Sequence, residues 1–219
     1  DLSGAFSGGL QNTQTGAVTI SDTSGTIAAT TLSGIGSATD GVVTAASGGI
    51  TISGTAVEVT AALVTSGSLV VAGSADVTIT DTGSVAATVL SAIGAKTGGV
   101  VTCSGALTIT GTTAEITDAL VTTNSLVVAS SANVTFSGDD PTAAQLAAIN
   151  TAAGGTITLN DDSQTFSGTA SDLSGAFSGG LQNTQTGAVT ITDTGGTIAA
   201  TVLSGIGSAT DGVVTAASR

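Results

Sequence analysis

The feature that most constrains this sequence is a long internal repeat. Residues 1–47 recur as residues 172–218, an offset of 171, with 44 of 47 positions identical. Near-identity over 47 residues indicates that the sequence contains a duplicated unit and the start of its second copy. We therefore interpret residues 1–219 as a single repeat array. In this interpretation residues 1–171 are one full repeat, and residues 172–219 are the start of the next copy.

A shorter pattern recurs inside the 171-residue repeat. A residue that is usually apolar is followed by Thr, by Ile or Phe, by Ser or Thr, and then by Asp or Gly. The seven copies start at Val18, Ile50, Val77, Leu107, Val134, Gln164 and Val189. Longer and shorter spacings alternate between successive starts, beginning with the longer one from Val18 to Ile50. The copies define three double units, which start near residues 18, 77 and 134.

Each copy of this pattern predicts a strand with one buried face, because apolar and hydroxyl residues alternate along it. The inward positions are Ile20, Ile52, Ile79, Ile109, Phe136, Phe166 and Ile191. The first outward file of hydroxyls is Thr19, Thr51, Thr78, Thr108, Thr135, Thr165 and Thr190. The second outward file is Ser21, Ser53, Thr80, Thr110, Ser137, Ser167 and Thr192. We expect the two files to lie side by side on one exposed face.

Helix-start signals follow several of these strands. The spans Thr55–Glu58 and Thr112–Glu115 have the spacing of a capping box, in which each side chain satisfies a backbone donor of the other residue. Asp140 followed by Pro141 fits an N-cap with proline at the first helical position. A second apolar run, such as residues 100–103, then closes each unit as a short strand. A unit of about 28 residues is therefore predicted to contain a strand, a helix and a strand.

These units together predict a β-solenoid that resembles a parallel β-helix. Equivalent strands would stack in parallel, about 4.8 Å apart, and would share one core. Where the helical signals dominate, the same reasoning predicts an α/β solenoid with strand–helix–strand turns of about 28 residues. Small apolar residues suit the narrow interior of such a fold.

The composition argues against enzymatic activity. The chain has no His, two basic residues, a single thiol and a formal net charge of −13. The thiol, Cys103, lies in an apolar run without a neighbouring base, so we interpret it as a small buried residue and not as a nucleophile. Nucleic-acid binding is not expected, because phosphate contacts require Lys and Arg. No apolar run is long enough to span a membrane, so we also expect no membrane insertion.

Asp1 opens a segment without the basic and apolar regions of a signal peptide. We therefore expect any export signal to lie outside this sequence or to be lacking.

The regular hydroxyl files suggest an alternative to a purely structural role. A flat array of the T-x-[ST] type resembles the ice-binding faces of β-solenoid antifreeze proteins. In this alternative, the two files of hydroxyls form the binding surface of an ice- or glycan-binding module. The simpler interpretation is that Thr is a good strand residue with a solvated side chain.

Paired acids are the candidates for a calcium site. They are Asp139, Asp140, Asp161 and Asp162. Three further acids, Asp22, Asp81 and Asp193, recur just after the strand motif. Calcium requires six to eight oxygen ligands, and neither an EF-hand loop nor a GGxGxDxUx repeat occurs. The alternative is that these acids are solvated turn residues or lie at helix N-termini. We expect no other cofactor.

The strands and helices at Ser53–Thr65 and Thr110–Thr122 resemble repeats in very large secreted or surface proteins of bacteria, notably marine cyanobacteria. This resemblance implies a structural role, as part of an elongated stalk, an adhesin, a filament or a surface layer. It also implies an extracellular or cell-surface location. The expected partners are neighbouring copies of the same repeat, including self-assembly into filaments or sheets. The resemblance transfers no catalytic residue to this chain.

Overall fold

The computed structural model describes residue 4 and residues 14–45, 47–122 and 124–216. These residues form sixteen short β-strands, seven α-helices and one π-helical turn. The strands are β1 (Val18–Thr19), β2 (Gly25–Ala28), β3 (Val43–Thr44), β4 (Ile50–Gly54), β5 (Val70–Val71), β6 (Asp76–Ile79), β7 (Ser84–Ala86), β8 (Val101–Cys103), β9 (Thr108–Gly111), β10 (Val127–Val128), β11 (Asn133–Phe136), β12 (Thr156–Thr158), β13 (Phe166–Gly168), β14 (Gly180–Leu181), β15 (Val189–Ile191) and β16 (Val214–Ala216). The helices are α1 (Ala29–Ser37), α2 (Ala56–Val59, continued by the π-turn Thr60–Val64), α3 (Ala87–Gly94), α4 (Thr113–Leu120), α5 (Ala143–Ala152), α6 (Ala170–Phe177) and α7 (Ala200–Ser208).

The chain divides into two compact units. The first comprises residues 1–105 and 123–128, and the second comprises residues 106–122 and 129–219. In the first unit, one parallel sheet has the strand order β1-β3-β5, and another has the order β10-β8-β6-β4-β2. In the second unit, β9, β11, β12 and β14 pair in that order, and a further sheet has the order β13-β15-β16.

The prediction of a β-solenoid, with or without helical turns, is wrong. The structure is a mixed α/β fold in which the strands form separate parallel sheets of three to five strands. Successive strands often lie in different sheets, and none of the sheets among the described residues continues through the whole repeat.

The spacing of the strand motif explains why the sheets are separate. Paired strands keep a similar offset along the chain, which is smallest in pairs such as Val134–Ile157 and largest in pairs such as Val43–Val70. Motif copies at the shorter spacing fall within this range and pair directly, and these are β4 with β6, β9 with β11, and β13 with β15. Copies at the longer spacing exceed even the largest pairing offset, that of Val43 with Val70, and they lie in different sheets.

The helix-start predictions are confirmed at two of three positions. Thr55 with Glu58, and Thr112 with Glu115, form complete capping boxes at α2 and α4. The predicted start at Asp140–Pro141 is wrong, because α5 begins after the N-cap Thr142, whose capping partner is Gln145. The Asp140 carboxylate instead accepts hydrogen bonds from backbone amides of a neighbouring loop.

The core consists of small and medium apolar side chains from strands and helices. All seven predicted inward residues of the strand motif are buried, from Ile20 to Ile191. Helices add Leu32, Leu90 and Leu146, each 0% exposed. Alternation along the strands therefore places one row of side chains in the core and the hydroxyl rows outside it.

Three helix–strand modules share one sequence pattern. The first module is residues 28–45, the second is residues 86–103 and the third is residues 199–216. Each consists of a helix (α1, α3 or α7), then the sequence Thr-x-Gly-Val-Val-Thr, which ends in a strand (β3, β8 or β16). The first and second modules belong to the first unit, and the third belongs to the second unit.

Candidate functional site

The predicted hydroxyl files lie on the solvent side of the strands. All fourteen residues are exposed or half-buried. Ten lie at or next to the strands β4, β6, β9, β11 and β15, and the other four are Thr19 and Ser21 at β1, and Thr165 and Ser167 at β13. The structure thus brings these residues to strand surfaces, but it distributes them over four sheets.

The pairing register does not keep the two files side by side. Where two motif strands pair, one is shifted by two positions against the other, so a second-file residue lies opposite a first-file residue. The pairs are Ser53 with Thr78, Thr110 with Thr135, and Ser167 with Thr190. The shift arises because even the shorter motif spacing exceeds the pairing offset of these strands by two positions.

A third strand extends each of these pairs to a row of three hydroxyls. The rows are Ser53–Thr78–Thr102, Thr110–Thr135–Thr158 and Ser167–Thr190–Thr215. The first row is flanked by Ala28 and Val128, which carry no hydroxyl. Each of these three rows is therefore short, and the ice- or glycan-binding alternative stays a prediction.

The paired acids act as hydrogen-bond acceptors within loops. The Asp140 carboxylate accepts from the backbone amides of Asn160 (2.7 Å) and Asp161 (2.6 Å). The Asp161 carboxylate accepts from the amide of Ser163 (2.8 Å) and from its hydroxyl (2.7 Å), and these bonds lower the pKa of Asp161. Asp139 and Asp162 contribute backbone carbonyls, which accept from the Thr113 and Thr186 hydroxyls.

Two of the acids that follow the strand motif bind at helix N-termini. Asp81 accepts a hydrogen bond of 2.6 Å from the amide of Ala56, the first residue of α2. Asp193 accepts one of 2.6 Å from the amide of Ala170, the first residue of α6. A negative charge at this position satisfies a free amide and is favoured by the helix dipole. Within the part of the chain that the structure describes, no group of three or more His, Cys, Asp or Glu is placed to hold a metal ion.

Cys103 is a buried residue of β8. Its side chain is 4% exposed, and burial, together with the charge of Asp81, raises the pKa of the thiol to about 11. The thiolate is the reactive form of cysteine, so Cys103 is protonated and unreactive near neutral pH.

A buried threonine is the polar feature that sequence reasoning missed. Thr97 is 8% exposed, and its hydroxyl donates to the backbone carbonyl of Ala75 and accepts from the amide of Gly99 (3.0 Å). Lys96, which precedes it just after the end of α3, is exposed. A Cβ atom at Gly99 would overlap the same Ala75 carbonyl, so the strand approaches this backbone too closely for a side chain.

The same contact recurs in the first and third modules. The Thr39 hydroxyl lies 3.0 Å from the Gly16 carbonyl, the counterpart of the Ala75 carbonyl, and 2.9 Å from the Gln14 carbonyl, and it accepts from the amide of Gly41 at 3.0 Å. The Thr210 hydroxyl lies 3.2 Å from the Gly187 carbonyl, the equivalent acceptor, and 2.8 Å from the Gln185 carbonyl, and it accepts from the amide of Gly212 at 2.9 Å. The signal was present in the sequence, because Thr-x-Gly-Val-Val-Thr occurs three times, but these threonines are indistinguishable by type from the exposed ones.

No protein family, curated protein or solved structure matches this chain. The similarity to bacterial surface repeats therefore stays a prediction from the sequence. Within the described residues, none of the helices is both long enough and apolar enough to pass through a lipid bilayer.

Proposed function

We propose that this chain is a structural repeat segment of an extracellular bacterial surface protein, as part of a stalk, an adhesin, or a filament or surface layer. The observation that carries the proposal is that one contact, a buried threonine hydroxyl against the backbone of the preceding segment, occurs three times. Buried Thr39, Thr97 and Thr210 each bind the backbone of the preceding segment in the same way. A chain that repeats the same contact between successive segments is suited to building a framework.

The electrostatic character of the surface supports this role. The chain carries fifteen acids against two basic residues, and the described strand surfaces present short rows of hydroxyls. A strongly acidic, hydroxyl-rich surface remains hydrated and resists nonspecific association. These properties favour an exposed location outside the cell.

The state of the thiol also supports a non-enzymatic role. Cys103 is buried, and its raised pKa keeps it protonated near neutral pH. The acids with resolved hydrogen bonds, such as Asp81 and Asp140, hold backbone amides of helices and loops. The polar side chains with known partners thus serve the structure of the chain itself.

Antibody labelling of source cells tests the location. Antibodies raised against this chain should label intact cells as strongly as permeabilised cells, and treatment of intact cells with an Asp- or Glu-specific protease should remove the signal. An antibody against a cytoplasmic protein is the control, and it should label permeabilised cells only. Labelling that requires permeabilisation would overturn the proposal.

Electron microscopy of the material released by the protease tests the structural role. Stalks, fibres or ordered layers that bind the same antibody are expected. If the antibody binds only dispersed particles that show a catalytic activity, the structural role is wrong even where the surface location is right.

A further inference from the structure

In the first module, the helix and strand are covered by the segment that follows them in the chain. The backbone carbonyl of Ser68 lies against Gly36 of α1, at the place that a Cβ atom would occupy. The amides of Val43 and Ala45 donate to the carbonyls of Leu69 and Val71, both at 2.9 Å. The covering segment, residues 50–72, consists of strand β4, helix α2 with its π-turn, and strand β5.

The second module makes equivalent contacts with residues 125 and 126. Gly94 contacts the carbonyl of Ser125, and the Val101 amide donates to Leu126 at 2.9 Å. Leu69 and Leu126 share an unusual left-handed backbone, with φ of 53° in both. Residues 107–129 match residues 50–72 at 15 of 23 positions, including Ser-Leu-Val-Val-Ala at the end. The Ser-Leu-Val-Val end of this sequence type therefore makes the same local contacts with both modules.

The third module has no such cover among the described residues. Nothing lies within 4 Å of the position of a Cβ atom on Gly207, the counterpart of Gly36 and Gly94. Leu203 is 39% exposed, whereas Leu32 and Leu90 are 0% exposed. Strand β16 is the last in its sheet, so its outer edge corresponds to the edge that β3 pairs with β5.

The strand that precedes the module shows the same difference. Gly25–Ala28 forms β2 and pairs with β4 of the covering segment. The identical tetrapeptide Gly196–Ala199 forms no strand. The backbone of the third copy thus lacks a partner where the first copy has one.

We propose that the third module binds a polypeptide segment of the sequence type of residues 50–72, supplied by another copy of the repeat. The segment places a serine carbonyl over Gly207, covers Leu203, and adds strands beside Gly196–Ala199 and β16. The inference rests on the proposed function only in taking the partner to be a further repeat. The recognition is by backbone pairing and apolar shape, because the segment carries one ionisable side chain, Glu58.

The test extends the full chain by residues 48–73, joined after residue 218 in place of Arg219. Amide hydrogen exchange in residues 200–216 should slow about tenfold or more, because new pairing must open before exchange. Exchange in residues 29–45 should stay unchanged. The control is an extension of the same composition in shuffled order, which should give no slowing. Unchanged exchange in residues 200–216, or equal slowing by the shuffled extension, overturns the proposal.

Two alanine substitutions in the extended chain test the contact at Gly207. Gly207→Ala places a methyl group where the serine carbonyl docks, so it should abolish the slowing. Gly205→Ala is the matched control, because its counterpart Gly34 in the covered first module has nothing within 4 Å of a Cβ position. Full slowing in the Gly207→Ala chain overturns the proposed docking. This result is independent of the antibody labelling, so each proposal can fail alone.

Discussion

The first and third modules differ at one of eighteen positions but have different neighbours. Both form a nine-residue helix that begins and ends at equivalent positions. This helix is α1 in the first module and α7 in the third. The tetrapeptide before the helix is strand β2 in the first copy and is not a strand in the third. The helix therefore forms with or without the covering segment, whereas a short strand requires a partner to pair its backbone.

The exposed fractions of equivalent side chains in α1 and α7 also differ on one side of the helix only. Ile35 and Ile206 are 2% and 1% exposed, so each helix buries this side chain whether or not a covering segment follows it. Leu32 is 0% exposed and Leu203 is 39% exposed, so only the first helix is covered on its other side. The isoleucine position is thus buried in both copies, whereas the leucine position is buried only in the copy that has a covering segment.

The largest expected difference between the modules is the loss of stability when the equivalent leucines, Leu32 and Leu203, are replaced by alanine. Leu32→Ala should cost about 3 kcal/mol because it leaves a cavity in a closed core. Leu203→Ala should cost only about 1 kcal/mol, since part of that side chain is already in water. Native-state amide exchange in α1 and α7 measures the two opening free energies. Leu90→Ala is the matched control and should resemble Leu32→Ala; equal losses at Leu32 and Leu203 contradict the comparison.

The reactivity of a cysteine placed in the strand independently measures whether a following segment covers that strand. Ala45 and Ala216 occupy the position of Cys103, and we would place a cysteine at each in a Cys103→Ala background. Ala45 is 0% exposed, so a thiol there should have a raised pKa like that of Cys103, which is about 11. Ala216 is exposed, so Ala216→Cys should react with a thiol reagent at pH 8 about 100-fold faster. Natural Cys103 is the slow reference, and its rate should rise with pH toward 11. Similar rates at positions 45 and 216 would show that the edge of β16 is covered.

The buried threonines should affect both modules alike. Thr39→Val and Thr210→Val each remove a hydroxyl that binds the preceding segment, and each should cost about 2 kcal/mol of local stability. Exchange of the α1 and α7 amides measures the two losses. Thr102→Val, at an exposed hydroxyl, is the control and should change stability by less than about 0.5 kcal/mol. A loss in the first module alone would mean that the third module is not held on its preceding side.

Alanine substitution of the equivalent glycines Gly36 and Gly207 should change the stability of their modules in opposite directions. Gly36→Ala should destabilise its module by about 1 kcal/mol, because the methyl group meets the Ser68 carbonyl. Gly207→Ala should stabilise its module by about 0.5 kcal/mol, because alanine favours a helix and nothing opposes it. Local exchange rates measure both changes. Gly34→Ala and Gly205→Ala are the controls, and both should stabilise; a loss at Gly207 would reveal a contact there.

Calcium should have no effect on the stability of either module. The carboxylates of Asp140 and Asp161 are engaged by amides and a hydroxyl, so adding calcium or a chelator should leave the melting temperature and the exchange of both modules unchanged. The Asp140→Asn chain serves as the control. A calcium-dependent rise in melting temperature that Asp140→Asn removes would restore the metal site as an explanation for these acids.

The sequence predicts the local elements of this chain better than their arrangement. Alternation in the motif correctly gives the buried face at Ile52 and Ile109, and the capping boxes correctly give the starts of α2 and α4. Each of these depends on residues within four positions of one another. The separation into sheets depends on whether a spacing matches the pairing offset, and a motif search does not supply that offset.

The candidate site shows the same limit. The outward positions of the fourteen hydroxyls follow from alternation, but their neighbours across strands depend on a register shift of two positions, as for Ser53 and Thr78. Thr97 is chemically identical to the exposed threonines and differs only in facing a backbone carbonyl of the preceding segment. Residue type therefore indicates a hydroxyl, and only the fold indicates which hydroxyls hold the chain together.

The exposed Lys96 just after α3 has a practical consequence for detecting this protein. Because the only other basic residue of this sequence is Arg219, tryptic fragments that contain residues 1–96 or 97–219 are far larger than the peptides that routine mass spectrometry identifies. The chain also has no Trp or Tyr and so has almost no absorbance at the wavelength used to monitor purification. An acid-specific protease and detection by peptide-bond absorbance are therefore required to follow it.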